Sequence, residues 1–237
     1  MIEELSDAVV EASRVRIRRP MQPKPHLVAP QAGRSGQLPG ERVVAIGAST
    51  GGTTALNSLI PALPPNFPPT LVVQHMPPVF TRMFAEALGR MSQLRVREAQ
   101  EGDRLEQGLV LVAPGDMHVR VVKEGGIGKI RLGLGEKVSG HRPSVDVLFS
   151  SLAQAYGAKA VGVLMTGMGR DGADGLLEMR RAGARCIAQD EESSVVFGMP
   201  KEAWKNGAAE ALVDLDELPG ALNAILHESI KEVQWRQ

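Results

Sequence analysis

Short, unbroken runs of apolar and β-branched residues recur along the chain, and longer amphipathic segments separate them. The runs span residues 43–46, 70–73, 109–112, 160–165, 184–188 and 211–213. Continuous apolar runs are typical of strands buried on both faces, as in parallel sheets. Helical periodicity marks the segments 53–63, 80–91, 144–156 and 172–182. The pattern predicts an α/β fold with a doubly wound, mainly parallel sheet and helices on both faces.

One segment departs from this alternation. Between His118 and Leu134, two apolar stretches flank the glycine-rich tip at residues 125–128. Paired stretches around such a tip predict one antiparallel hairpin.

The first forty residues differ in composition from the rest. Residues 1–19 have the spacing of an amphipathic helix, and five prolines and three glycines follow between residues 20 and 40. Proline fixes φ and has no N–H, so this stretch suits neither a helix nor a central strand. We expect residues 1–40 to be a helix end with an interdomain linker, and residues 41–237 to form one domain.

Composition excludes several classes of protein. The 27 basic and 27 acidic residues balance, and eight aromatic residues are too few for a base-stacking platform, so nucleic acid is not the expected ligand. Cys186 is the single cysteine, and no run reaches the roughly 18 apolar residues of a membrane span. No ligand spacing indicates a metal site. We therefore expect a cytoplasmic protein that is not membrane-embedded.

Three loops that follow predicted strands carry reactive side chains. Ser49 follows the first run, His75 the second and Asp171 the run at 160–165. Because parallel strands end at a common rim, these side chains are expected to lie near one another. They are the residue types of a hydroxyl nucleophile, a base and a group that orients the base.

The nucleophile hypothesis rests on the segment Gly47-Ala48-Ser49-Thr50-Gly51, a G-x-S-x-G pattern between strand and helix. Its glycines permit a sharp turn that exposes the serine at a helix N-terminus, where free N–H groups can hold an oxyanion. A phosphate-binding turn or a simple N-cap serine also fits. The Walker and dinucleotide patterns do not fit, because the required lysine and glycine spacing are missing.

Alternatives exist for the other two roles. His141 is a rival base, and Asp116 and Asp146 are alternatives for the acid, while Asp171 also fits as a helix N-cap. The order serine, histidine, aspartate differs from that of the α/β-hydrolases.

Seven motifs in register resemble the chemotaxis methylesterase family CheB. They lie at residues 46–52, 74–78, 80–82, 113–116, 141–146, 166–172 and 196–200. The resemblance runs from about residue 43 to the last predicted helix, which contains His227. It implies hydrolysis of glutamyl methyl esters on chemoreceptors, and deamidation of receptor glutamines, with no metal or organic cofactor.

The resemblance also implies roles for individual residues. Ser49 would be the nucleophile, His75 the general base and acid, and Asp171 the residue that orients the imidazole. Backbone N–H groups near Thr50 and Met168 would hold the oxyanion. The candidate contacts for substrate are Thr81, Arg82, His141 and Arg142. Arg170, beside the proposed triad, departs from the small polar residue expected there.

The implied partners are the cytoplasmic helices of methyl-accepting chemoreceptors. Family members also carry a receiver domain, phosphorylated by a chemotaxis histidine kinase, and residues 1–19 resemble its last helix. The sequence therefore resembles the catalytic portion with its linker. Two other classes stay open on the residues alone: a non-catalytic docking module and a nucleotide-binding α/β domain.

Overall fold

A seven-stranded parallel sheet organises the part of the chain that the structure, a computed structural model, describes, residues 42–227. Its strands are β1 (Val43–Ala48), β2 (Thr70–Gln74), β3 (Arg95–Glu98), β4 (Leu109–Val112), β7 (Ala160–Leu164), β8 (Arg185–Gln189) and β9 (Leu212–Val213). The predicted helix and linker at residues 1–40 lie outside the described residues.

The strand order is β3-β4-β2-β1-β7-β8-β9, and every neighbouring pair is parallel. From β1 the chain first adds strands on one side and later, from β7, on the other. The sheet therefore has a topological switch point between β1 and β7, where open α/β sheets bind their ligands.

Within the described residues, six α-helices connect or flank these strands. They are α1 (Gly52–Leu59), α2 (Pro78–Met91), α3 (Val145–Tyr156), α4 (Ala173–Arg181), α5 (Met199–Lys205) and α6 (Leu218–His227). Short 3-10 turns follow α1 and α3. Among the described residues, no helix is both long enough and apolar enough to cross a membrane.

The hairpin forms a separate two-stranded antiparallel sheet. Its strands are β5 (His118–Glu124) and β6 (Ile127–Gly133), with a turn at Gly125 and Gly126. Val121 and Ile130, paired across it, are buried against the larger sheet's core. The predicted doubly wound fold with one antiparallel hairpin is thus confirmed.

The core has one layer on each face of the sheet. Alternate residues of β1 point to opposite faces, so Val43 and Ala45 join one layer while Val44 and Ile46 join the other. The first layer includes residues of α3, α4 and α5, and the second includes residues of α1, α2 and α6. This two-sided burial explains why the strands read as unbroken apolar runs.

Two elements were not predicted. β3 lies at the sheet edge with its side chains alternately exposed and partly covered, so its sequence Arg-Val-Arg-Glu contains no apolar run. α5 has seven residues, too few for two helical periods to stand out.

Candidate active site

Ser49 lies in the turn that joins β1 to α1. Its N–H donates to the carbonyl of Thr166 at 3.0 Å, and its carbonyl accepts from the N–H of Gly52 at 2.8 Å. Gly51 caps α1 with a φ of +81°, in the left-handed region that favours glycine. A Cβ on Gly167 would lie 2.8 Å from the Ser49 Cβ. Glycine at 167 thus lets the loop after β7 pass directly beside the serine.

His75 follows β2 and points one ring nitrogen at a carboxylate. Its Nε2 lies 2.8 Å from Oδ2 of Asp171, and the two side chains are 8% and 0% exposed. An ionised carboxylate fixes the proton on Nε2, which leaves a lone pair on Nδ1. Nδ1 is buried and has no hydrogen-bond partner among residues 42–227, Ser49 included. It is the ring nitrogen available to accept a proton.

Gln74, the last residue of β2, ties the serine turn to the histidine turn. Its Nε2 donates to the carbonyl of Ser49 at 2.9 Å and to the carbonyl of His75 at 3.2 Å. The His75 N–H also donates to the carbonyl of Ala48 at 3.2 Å. Gln74 is 3% exposed, so these bonds are shielded from water. The two reactive residues are thus held in fixed relation by their backbones.

Asp171 is a buried carboxylate at the N-terminus of α3. Oδ1 accepts from the hydroxyl of Ser144 at 2.7 Å and from the N–H of Asp146 at 3.2 Å. Oδ2 accepts from the N–H of Val145 at 2.7 Å as well as from His75. A helix N-terminus presents free N–H groups and a partial positive charge to an anion.

These bonds decide the charge on Asp171. Burial pushes its pKa up, but the hydrogen bonds from His75, Ser144 and Val145 outweigh burial and hold the pKa below its ordinary value. Asp171 is therefore ionised at neutral pH and can stabilise a positive charge on the His75 ring.

Thr50 and Met168 flank the serine on two loops. Thr50 lies in the turn before α1, and its carbonyl accepts from the hydroxyl of Thr166 at 2.9 Å. Met168, 40% exposed, follows Gly167 in the loop between β7 and α4. Both are therefore next to residues that contact the serine turn, and their N–H groups stay the predicted oxyanion donors.

The loop before α3 covers His75. The ring of His141 stacks on the ring of His75 with centroids 3.8 Å apart and planes within 8°. Arg142 donates two hydrogen bonds to Oδ1 of Asp116, at 2.7 and 3.0 Å, and one to the carbonyl of Gly135 at 2.8 Å. These residues help line a cleft of about 330 Å³ beside His75.

Two of the predicted substrate contacts, Thr81 and Arg82, are neighbours near the start of α2 but differ in exposure. Thr81 is 0% exposed, and its hydroxyl donates to the carbonyl of Pro78 and to Glu98. The expectation that Thr81 contacts substrate is corrected, because the side chain is buried and used within the protein. Arg82 is exposed and pairs with Glu86 at 3.1 Å, so it stays a candidate contact.

The alternative acids have other partners. Asp116 pairs with Arg142, and Asp146 accepts from the N–H of Gly175 at 2.7 Å. Asp171 is the carboxylate that contacts His75. Arg170 is exposed and forms an ion pair with Asp174 at 2.7 Å.

Sequence reasoning gave no role to Gln74, Ser144 or Thr166. Gln74 could have been noticed as a polar residue that ends a buried strand, since such groups are hydrogen-bonded. Ser144 carries an N-cap signal before α3. Nothing in the local sequence shows that the Thr166 hydroxyl contacts the Thr50 carbonyl, because the two residues are distant in the chain.

Within residues 42–227, no group of three His, Cys, Asp or Glu side chains is arranged to hold a metal ion. The three predicted reactive residues, a serine, a histidine and an aspartate, lie on loops beside the switch point of the doubly wound sheet. That arrangement is typical of α/β proteins with a serine-hydrolase type of site.

Comparison with known proteins gives the family. A sequence model described as CheB methylesterase matches residues 44–222, which is most of the chain. The chain belongs to the CheB methylesterase family.

Individual relatives agree with this membership. The chain is 51% identical over 187 residues to a protein-glutamate methylesterase/protein-glutamine glutaminase from Sulfurimonas denitrificans, covering 79% of this chain and 53% of that protein. A Yersinia pestis protein of the same name is 46% identical over 217 residues, covering 91% of this chain and 61% of that protein. The chain thus spans between half and two thirds of these relatives' length.

A solved structure extends the comparison to the fold. The crystal structure of the Thermotoga maritima CheB methylesterase catalytic domain matches with a TM-score of 0.76 and 40% sequence identity. The match covers 78% of this chain and 98% of that domain.

Proposed function

We propose that this chain hydrolyses γ-methyl esters of glutamate side chains on chemoreceptors, through Ser49, His75 and Asp171. The observation that carries the proposal is the buried hydrogen bond from His75 Nε2 to Asp171. These two residues lie on the loops after β2 and β7, the strands on either side of β1, and Ser49 follows β1. The names of the relatives support the substrate class. They do so for proteins longer than this chain, so the activity of this chain is our inference.

The first half of the reaction transfers the acyl group to the enzyme. Nδ1 of His75 takes the proton from Ser49 as Oγ attacks the ester carbonyl. The N–H groups of Thr50 and Met168 stabilise the oxyanion that forms. His75 then returns the proton to the methoxy oxygen, and methanol leaves an acyl-serine behind.

The second half releases the product. Water enters the site of the departed methanol and gives a proton to His75 as it attacks the acyl-serine. Collapse of the tetrahedral intermediate returns that proton to Ser49 Oγ and frees the glutamate. Asp171 stabilises the imidazolium in both halves, because its carboxylate is ionised and bonded to Nε2.

The same site supports deamidation of receptor glutamines. An amide differs from the ester only in its leaving group, so ammonia takes the place of methanol and the acyl-serine is the same. The open cleft beside His75 suits a side chain presented by a protein surface.

We further infer that the partners are the cytoplasmic helices of methyl-accepting receptors, which would place the protein in the cytoplasm. The relatives are longer than this chain. We infer that a receiver domain, phosphorylated by a chemotaxis histidine kinase, regulates the enzyme in such longer forms. Adding a receiver domain to the assay would then lower the rate, and its phosphorylation would restore it.

Methanol release from methylated receptor membranes tests the activity. The parent chain should release methanol, and Ser49→Ala should lose this activity because no other group in the site supplies the nucleophile. Ser58→Ala, at an exposed serine of α1, is the matched control and should behave as the parent.

Two results would overturn the proposal. Equal release by the parent and Ser49→Ala would remove the serine from the mechanism. No release by a folded parent that still binds receptor membranes would support a docking module without catalysis.

A further inference from the structure

The ring of His141 stacks on the ring of His75, the proposed general base. The two imidazoles are parallel within 8°, with centroids 3.8 Å apart, so one face of His75 is covered by a flat ring. His141 is half-buried and lines the same cleft as His75. The proposed reaction gives His141 no proton to carry, which leaves this contact without an assigned role.

The hydrogen bond to Asp171 does not fix the ring of His75 by itself. It restrains the position of Nε2, yet the ring can still tilt about that point because the second torsion of histidine is broad. A tilt would move Nδ1, which has no hydrogen-bond partner in the described part of the chain. A parallel ring against the face removes this freedom, since tilting would break the stacked contact.

The loop that carries His141 is itself held firmly. The N–H of His141 donates to the carbonyl of Val138 at 2.9 Å, and the N–H of Val138 donates back at 3.1 Å. The next residue, Arg142, is anchored by Asp116. Ser144, further along the same loop, donates to Asp171. One short segment thus restrains both the face of the His75 ring and the acid bonded to its edge.

We propose that His141 is a positioning residue whose ring face holds the imidazole plane of His75, so that Nδ1 keeps the direction needed to take the proton from Ser49. This inference rests on the proposed function. It assigns no proton transfer to His141, and it requires only a flat, uncharged surface at position 141.

The charges around His141 agree with a neutral ring. Burial lowers the pKa of His141, and the neighbouring His75 and Lys137 lower it further, while Asp171 opposes them. A second positive charge in contact with His75 would also disfavour the imidazolium that forms during the reaction. A neutral His141 leaves that charge to be stabilised by Asp171 alone.

Two substitutions of similar size distinguish the effect of a flat ring at position 141 from the effect of side-chain volume alone. His141→Phe keeps a flat ring without nitrogens, and His141→Leu keeps apolar volume without a flat face. We expect His141→Leu to lower kcat for methanol release by about 10- to 100-fold with KM little changed, the cost of a misplaced catalytic group. His141→Phe should retain most of the kcat. His227→Ala, at an exposed histidine of α6, is the control.

A second readout does not depend on turnover. The proton that His75 Nε2 shares with Asp171 is observable by nuclear magnetic resonance. It should stay sharp in His141→Phe and broaden in His141→Leu, because a tilting ring changes the angle of the Nε2–H bond to Asp171. If the parent released no methanol but this resonance behaved as expected, the proposed function would fail while the positioning role stood.

Three outcomes would overturn the positioning role. Loss of activity in His141→Phe equal to that of Ser49→Ala would show that the His141 nitrogens act in the chemistry. A kcat and a resonance in His141→Leu equal to those of the parent would show that the stacked ring does not position His75. A rise in KM alone would make His141 a substrate contact instead.

Discussion

At the scale of single residues, the hydrogen bonds already formed by His75 and Asp171 determine which of their atoms remain available for the reaction. His75 uses Nε2 for Asp171, so the nitrogen left for proton transfer in the proposed reaction is Nδ1, which is buried without a hydrogen-bond partner among residues 42–227. Asp171 receives bonds from the N-terminus of α3 as well as from the ring. Its charge is therefore maintained by the protein fold, and it does not depend on substrate.

Asp171→Asn should reduce kcat by about 10⁴, as in the serine protease triad. An asparagine amide can donate to Nε2, which moves the ring proton to Nδ1 and blocks the base. Kinetics of methanol release measures the loss. Asp174→Asn, at an exposed carboxylate three residues away, is the matched control and should keep the parental rate.

The opposite result would assign the role of orienting His75 to a different carboxylate. If Asp171→Asn stayed within about tenfold of the parent while Asp116→Asn lost activity, the orienting group would be Asp116. The pairing of Asp116 with Arg142 argues for the first result.

The placement of Ser49, His75 and Asp171 on one rim could be predicted from sequence, because each follows an apolar run and parallel strands end at one rim. Gln74 and His141 show why the rest could not. The amide of Gln74 acts on two backbone carbonyls that only the folded chain brings together. The stack of His141 on His75 depends on a loop path that no periodicity encodes.

At the scale of elements, the N-termini of α3 and α4 meet around the acid. Asp146, in the first turn of α3, donates its N–H to Asp171 and accepts the N–H of Gly175 from α4. Burial, together with the nearby Asp171, raises the pKa of Asp146 to about 6. This carboxyl thus links the two helices.

The raised pKa of Asp146 makes stability depend on pH in a definite direction. Between its ordinary pKa of 3.8 and about 6, the unfolded chain loses this proton while the folded chain keeps it. The stabilisation from the protonated carboxyl is therefore present at low pH and is lost as pH rises through about 6.

Asp146→Asn removes this titration and can still accept from Gly175. We expect the variant to gain on the order of 1 kcal/mol over the parent at pH above 6, after solvent screening, and less at pH about 4. Urea unfolding at both pH values measures the difference. Asp216→Asn, at an exposed aspartate, should show no such change. A gain that did not vary with pH would contradict the argument.

Prediction of elements worked best where burial is two-sided. β1 and β2 are fully buried, and their apolar runs match the observed strands. β3 escaped prediction because an edge strand needs no apolar run, and its arginines face solvent. Short α5 begins at Met199-Pro200 and offers no repeat long enough to recognise.

At the scale of the whole described molecule, the reversal of strand order between β1 and β7 creates the site. The loop after β1 supplies Ser49, and the loop after β7 supplies Gly167, Met168 and Asp171. The neighbouring β2 supplies His75. The fold thus gathers Ser49, His75 and Asp171 from distant parts of the chain onto one rim. In the proposed function, ester and amide substrates both react through one acyl intermediate on Ser49.

Partition of the acyl-enzyme between water and hydroxylamine tests this claim most directly. If ester and amide substrates share an acyl-serine on Ser49, each should yield hydroxamate and glutamate in the same ratio at a given hydroxylamine concentration. Ser49→Ala should yield neither product. Different ratios from the two substrates, or hydroxamate formed by Ser49→Ala, would contradict the shared acyl-serine.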